Sequence, residues 1–190
     1  LRWGRRMGDE AMIDAMNAIL HDPFGAGHMG VTAENIADRY SITRQMQDEL
    51  AAESHRRAAV AQAEGRFEDQ IVPVEVRAKG GKALFKMDEH VRAELSAAAL
   101  AGLKPVFRET GGTVTAGNAS GINDGAAALV LASADAAARH GLVPRARIIA
   151  WGHAGVAPEV MGLGPVEAVP IALERSGLRL EDIEVIEANE

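Results

Sequence analysis

With 190 residues, 47% of them apolar and 25% charged, the chain has the balance of a globular protein and enough length for one good core or two small ones. A net charge of −7 with a pI near 5.4 argues against a nucleic-acid footprint, which needs a basic face. The absence of cysteine excludes a disulfide framework, thiolate metal sites and a thiol nucleophile within these residues.

The apolar stretch 125–134 is about half as long as a membrane span requires, and no charged-then-apolar leader opens the chain; a soluble cytoplasmic protein is expected. Leu1 is not an initiating methionine and Glu190 directly follows a strand-like run, so the chain reads as a piece of a longer one. Asp9 suits a helix cap, and Met12, Ile13, Met16, Ile19 and Leu20 fall on one helical face that stops before His21-Asp22-Pro23. A glycine-rich loop, 25–30, follows. Residues 32–40 and 43–64 read as two helices, the second long and stopped by Gly65. Residues 71–78 alternate like a strand, Pro73 marking an edge or a strand start, and 79–82 reads as a turn. Residues 95–103 form a short alanine-rich helix or an irregular link ahead of Lys104-Pro105.

From Thr113 the character changes. The glycine-punctuated TVTAGNASGINDG leads into a buried-strand pattern at 126–131 and a helix at 134–140 closed by Gly141. A second unit repeats the theme, with a strand at 147–151, a loop at 152–164, a helix at 166–176 started by Pro165, and a strand at 183–188. Helices alternating with apolar strands predict a layered α/β sheet, whereas the part up to about Gly117 is helical with an extended arm.

Three places carry candidate chemistry. The loop 115–125 combines Gly117, Gly121 and Gly125 with Asn118, Ser120, Asn123 and Asp124; it suits either close approach of a ligand to backbone or an ordinary turn feeding a strand. It lacks the Gly-Lys-Ser/Thr ending of a P-loop and the spacing of a dinucleotide fingerprint. Gly27-His28-Met29-Gly30 sets an imidazole and a thioether in a loop just before a helix, where a histidine is either functional or simply structural. Glu187-Ala188-Asn189-Glu190 ends the last predicted strand, the place where α/β sheets bind substrates, although Asn189 also suits a helix cap. The remaining histidines show no metal-ligand spacing, and the clusters Arg5-Arg6 and His55-Arg56-Arg57 read as solvated loop and helix surface.

Taken together, HMGVTAENIA, GRFEDQIVPV, TVTAGNASGINDGAAA, VMGLGPV and IEANE occur in the order and approximate spacing found in thiolases, and the chain resembles that family along essentially its whole length. The HMG segment resembles the biosynthetic acetoacetyl-CoA thiolases and β-ketothiolases, implying short acyl chains. The resemblance implies a five-layered α/β/α/β/α thiolase fold in the full protein. On it, 1–121 corresponds to the loop domain that covers the active site and holds coenzyme A, 122–144 to the end of the N-terminal half, and 145–190 to the start of the C-terminal half.

The family's ping-pong reaction condenses two acyl-CoA molecules to a 3-ketoacyl-CoA, or reverses this by thiolysis, through an acyl-cysteine; a second cysteine deprotonates acetyl-CoA. Neither cysteine segment falls within these residues, so the chain alone is expected to be inactive. By resemblance, Ser120 matches the residue that hydrogen-bonds the pantetheine amide, with Ala116 on the same arm. Leu20, His28, Arg92 and Phe107 match positions around the pantetheine and adenine nucleotide, and Met29 and Met161 the walls around the acyl group. Asn189 matches the asparagine that holds an oxyanion-hole water, the one catalytic residue expected here. The resemblance further implies coenzyme A thioesters as substrates with no tightly bound cofactor or metal, no nucleic-acid or membrane partner, and a homotetramer or dimer. A non-catalytic coenzyme A- or lipid-binding relative is the alternative.

Overall fold

The computed structural model describes residues 11–189. Helix α1 spans Ala15–Ile19 and is capped by Asp14, whose carboxylate accepts from the Asn17 N–H at 3.0 Å. Periodicity predicts an earlier start under an Asp9 cap. Asp9 lies outside the described residues, and Met12 and Ile13 precede the helix, both largely exposed. An apolar stripe with nothing packed on it does not extend a helix, and the local cap decides where this one begins.

Helix α2 (Met29–Tyr40) is capped by His28 and closed by Ser41 in the left-handed region at φ 55°. Helix α3 (Arg44–Ala63) starts on Thr43, whose hydroxyl accepts from the Met46 N–H at 3.2 Å, and stops at Gly65, φ 70°. Both agree with the sequence reading to within a few residues. The extended arm is a hairpin: β1 (Val74–Ala78) pairs antiparallel with β2 (Gly81–Phe85), Val74 opposite Phe85 and Ala78 opposite Gly81. The predicted turn is shorter than expected, because only Lys79 and Gly80 form it and Gly81 and Lys82 already belong to β2. Helix α4 (Ala97–Ala101) is capped by Ser96 and α5 (Ala134–Arg139) by Ser133. A 3-10 turn, Pro158–Leu163, runs into α6 (Gly164–Ser176), which ends at Gly177.

The residues expected as strands at 126–131, 147–151 and 183–188 pair with no other segment, and the hairpin is the only sheet among the described residues. Leu129 and Val130 are 89% and 88% exposed, and Val185 83%. A strand is completed by its neighbour's N–H and C=O groups, and no described segment supplies them. The segment at 151–152 is nonetheless held against α6: Gly152 lies so close to that helix that a β-carbon there would meet the Ala168 carbonyl oxygen at 2.2 Å, and Arg175 Nη1 donates to the Trp151 carbonyl at 2.9 Å.

Packing concentrates in two places, α2 against the 158–163 turn and α3 against α4. The buried apolar residues Ala37, Leu100, Val114 and Val160 sit in these contacts or beside them, joined by four buried polar residues, Thr32, Glu34, Asp48 and Thr115. Those polar groups are hydrogen-bonded, as burial requires: Thr32 donates within α2 and Thr115 accepts within its own loop, while Glu34 and Asp48 tie the loop around Thr113–Asn118 onto α2 and α3.

Candidate functional site

The head of α2 gathers residues from separate stretches. His28 Nδ1 accepts from the Gly30 N–H at 3.0 Å, satisfying a first-turn donor with an imidazole in place of the usual hydroxyl or carboxylate. The His28 ring stacks on Phe107 with centroids 4.6 Å apart and meets His21 edge-on at 5.1 Å. The Met29 N–H donates to the Leu20 carbonyl at 2.9 Å. Leu20, His28, Met29 and Phe107, four of the expected positions, are thus brought together. Phe107 occupies the space above Gly30, where a β-carbon would meet its ring at 2.1 Å.

The same helix reaches Met161. Asn35 Nδ2 donates to the Glu159 carbonyl at 2.9 Å, holding the 158–163 turn, while Asn35 Oδ1 accepts from Arg108 Nη2 at 2.8 Å. Arg108 also pairs with Asp38, so the residue after Phe107 is clamped to α2 at two points. Met29 and Met161 are each partly exposed, at 40% and 44%, which leaves apolar thioether surface for a ligand.

A second cluster lies beside α3. The Arg92 N–H donates to His55 Nδ1 at 3.2 Å, and the His55 and His90 rings stack at 5.7 Å. Gly121 abuts His90, since a β-carbon would meet its Cε1 at 2.6 Å. Ser120 therefore enters the neighbourhood of Arg92. Ser120, Ala116 and Arg92 are exposed, and the Arg92 guanidinium makes no ion pair among the described residues, leaving a solvated cation for a phosphate. Asn189 is exposed in the run 183–189, which forms no helix or strand, and makes no hydrogen bond among the described residues; neither cluster includes it.

The loop bearing Ser120 is fixed from below. Buried Glu34 accepts from the Thr113 N–H, the Thr113 hydroxyl and the Val114 N–H at 2.7–3.0 Å. Buried Asp48 accepts from Arg44 Nε at 2.8 Å and Asn118 Nδ2 at 2.9 Å. Sequence reasoning did not single out either acid. A signal for Glu34 is present: Gly30, Glu34 and Ala37 follow helical spacing along the buried stripe of α2, so a carboxylate at a core position demanded donors from elsewhere. Two open clefts of about 420 and 390 Å³ border α3 and the 154–171 segment; neither is lined by an expected site residue. Among the described residues no three histidine or acidic side chains gather to hold a metal ion, and no helix is long and apolar enough to cross a membrane.

Residues 1–135 match the family model described as thiolase, N-terminal domain, and residues 142–190 the one described as thiolase, C-terminal domain. The chain is 56% identical over 189 residues to the beta-ketothiolase BktB of Cupriavidus necator, and 49% identical over 191 residues to an acetyl-CoA acetyltransferase of Rhizobium meliloti. In each case the match covers 100% of this chain and 48% of the relative. The crystal structure of the Bacillus anthracis acetyl-CoA acetyltransferase superposes with a TM-score of 0.83 at 47% identity, covering 97% of this chain and 46% of that one. The chain spans about half the length of the curated relatives it matches.

Proposed function

The chain belongs to the thiolase family and has the thiolase fold, and on that premise we propose that it is the coenzyme A-holding part of a short-chain acetyl-CoA C-acyltransferase. In this reading the substrates are acyl-CoA thioesters, no tightly bound cofactor or metal takes part, and the full protein is a cytoplasmic homo-oligomer. Residues 1–121 act as the loop domain, 122–144 close the N-terminal half and 145–190 open the C-terminal half.

One observation carries it: Leu20, His28, Met29 and Phe107 converge at the head of α2, and Asn35 ties the Met161 turn to the same helix. Residues that motif matching assigns to one thioester are thereby held on one support. Ser120 then hydrogen-bonds the pantetheine amide, Arg92 faces phosphate, and the two methionines flank a short acyl group. Holding the thioester in one place lowers the entropy cost of reaction.

The chemistry itself requires two cysteines that this chain does not contain. One thiolate attacks the first thioester carbonyl, and coenzyme A leaves as a thiol by taking the proton of the other cysteine; that second thiolate then removes a proton from acetyl-CoA, and the resulting enolate carbon attacks the acyl-cysteine carbonyl, releasing the first thiolate. Negative charge develops on oxygen at each step, and Asn189 is assigned the water that helps to stabilise it.

The test is the gene sequence flanking both ends, followed by assay of the full-length protein. Thiolysis of acetoacetyl-CoA by free coenzyme A is expected, with cysteines found on both sides. Absence of an upstream cysteine, or coenzyme A binding without turnover, would instead establish the non-catalytic coenzyme A- or lipid-binding reading.

A further inference from the structure

We propose that Asp48, acting through Asn118, is the positioning residue of the Ser120 loop and sets the affinity for the coenzyme A thioester. The proposal rests on the functional reading above for the role of Ser120; the positioning geometry is independent of it.

Asp48 is the single buried residue of α3 and is 1% exposed. Both of its oxygens are occupied, Oδ2 by Arg44 Nε and Oδ1 by Asn118 Nδ2. Asn118 uses its whole amide. Its Oδ1 accepts from the Thr115 N–H at 2.7 Å, and its Nδ2 donates to the Thr113 carbonyl at 3.0 Å as well as to Asp48. The turn 115–118 is thus closed from inside by one side chain, and that side chain is anchored on α3. Ala116 lies two residues before Asn118 and Ser120 two residues after, so the anchor sits midway between the two residues assigned to the pantetheine.

The anchor is locked by a closed circuit. Arg44 Nη2 donates to the carbonyls of Leu100 and Leu103 at 2.5 and 3.1 Å, gripping the end of α4. The side chains of those two leucines press on Gly117, where a β-carbon would meet Leu100 Cδ2 at 2.3 Å and Leu103 Cδ1 at 2.5 Å. From Asp48 the contacts run through Arg44, the end of α4 and Gly117 to Asn118 and back to Asp48. An Asp-Arg pair at this spacing that served only to support the helix would sit on its exposed face. A buried carboxylate is retained at the expense of desolvation, and an apolar side chain would pack there more readily. What the carboxylate adds is direction: it fixes one rotamer of Asn118, and through it the path of the backbone toward Ser120.

The full-length protein tests this with acetoacetyl-CoA and free coenzyme A as probes, recording KM, kcat and melting temperature for wild type, Asp48→Asn, Asn118→Ala, Ser120→Ala and the Asp48→Asn/Ser120→Ala double variant. Losing the charge-assisted bond is expected to raise KM about tenfold while kcat stays within about twofold. On the Ser120→Ala background the same change is expected to add far less, because the group it positions is gone. Asn118→Ala leaves the Asp48–Arg44 pair intact, should reproduce the KM effect, and serves where Asp48→Asn does not fold. Additive effects in the double variant, or losses of kcat that track a fallen melting temperature with KM unchanged, overturn the proposal and reduce Asp48 to a structural role. A wild-type protein that neither binds coenzyme A nor turns over acetoacetyl-CoA overturns the functional reading, and this proposal with it.

Discussion

The ring of Phe107 fills the space that a β-carbon on Gly30 would occupy, with ring atoms at 2.1–2.3 Å from that point. Gly30 is buried in the first turn of α2 and has ordinary helical backbone, so close approach, and not an unusual φ, is what glycine provides here. Gly30→Ala is expected to displace the aromatic ring and to destabilise the fold by about 1–3 kcal/mol, the usual cost of overpacking. Because both changes act on one contact, Gly30→Ala should cost much less on a Phe107→Ala background. Chemical denaturation of the four proteins measures this, and equal costs on the two backgrounds would show that Phe107 is not what alanine collides with.

Glu34 gives a second expectation. Its carboxylate, fully buried, receives three donors from Thr113 and Val114. Glu34→Gln keeps the shape and one oxygen for both backbone donors, but turns an N–H₂ group toward the Thr113 hydroxyl, which loses its buried acceptor. A loss of about 2–4 kcal/mol is expected, read as a lower urea midpoint with an unchanged m-value. Thr113→Val removes only the hydroxyl and should cost about 1 kcal/mol, since both backbone donors remain.

The helices and the buried acids differ in how legible they were. Helix ends were visible because caps are local: Thr43, Gly65 and Gly141 each act within a few residues of themselves. The 71–78 strand was visible and forms as β1, but 126–131, 147–151 and 183–188 form no strand, because pairing is a relation between segments and no described residue supplies a partner, while β2 pairs through five residues too short to show a period. Glu34 and Asp48 were passed over for the same reason, as an acid is buried only where distant donors meet it. Convergence of Leu20, His28 and Phe107 followed from matched motifs and not from composition, since nothing local joins the head of α2 to residue 107.

Arg92 and Ser120 are expected to separate by salt. Arg92 offers an exposed guanidinium and Ser120 a neutral hydroxyl. In calorimetric titrations of the full-length protein with coenzyme A, Arg92→Ala should weaken binding about tenfold at low salt, the deficit shrinking as ionic strength rises past about 0.15 M. Ser120→Ala should weaken it about fivefold at every salt concentration, as loss of a neutral hydrogen bond. A salt-independent Arg92→Ala effect would remove that residue from the phosphates.

Glu53 gives α3 one pH-dependent contribution. Hydrogen bonds from Arg56 and then Arg57 hold its carboxyl at about 2, below the ordinary 4.5. A depressed folded value means that the stabilising contribution is complete above 4.5 and is lost as pH falls through about 2. The group is at the surface, so the effect is screened. A carboxyl-carbon NMR titration should find the Glu53 midpoint well under 4.5 and climbing toward it in about 1 M salt; a midpoint near the ordinary value in dilute buffer would mean that the arginines do not engage it.

The unpaired apolar runs make the last prediction. Leu129, Val130, Val185 and Ile186 stand largely exposed outside any helix or strand, and a row of free N–H and C=O groups beside apolar side chains is a template for pairing. The chain spans about half the length of the curated relatives it matches, and the remainder of a full-length protein is expected to cover these runs. Amide hydrogen exchange distinguishes the two situations. In the full-length protein the amides of 126–131 and 183–188 should exchange only through global or subglobal opening, among the slowest in the molecule. In the 190-residue chain alone the same amides should exchange at nearly unprotected rates, while those of α2 and α3, which bond within their own helices, keep measurable protection. The isolated chain should also bind a hydrophobic dye and associate as its concentration rises, because its exposed edges pair with one another. Strong protection of 126–131 in the isolated, monomeric chain would mean that these residues find partners within it, and that the apolar runs are not waiting for strands supplied from elsewhere.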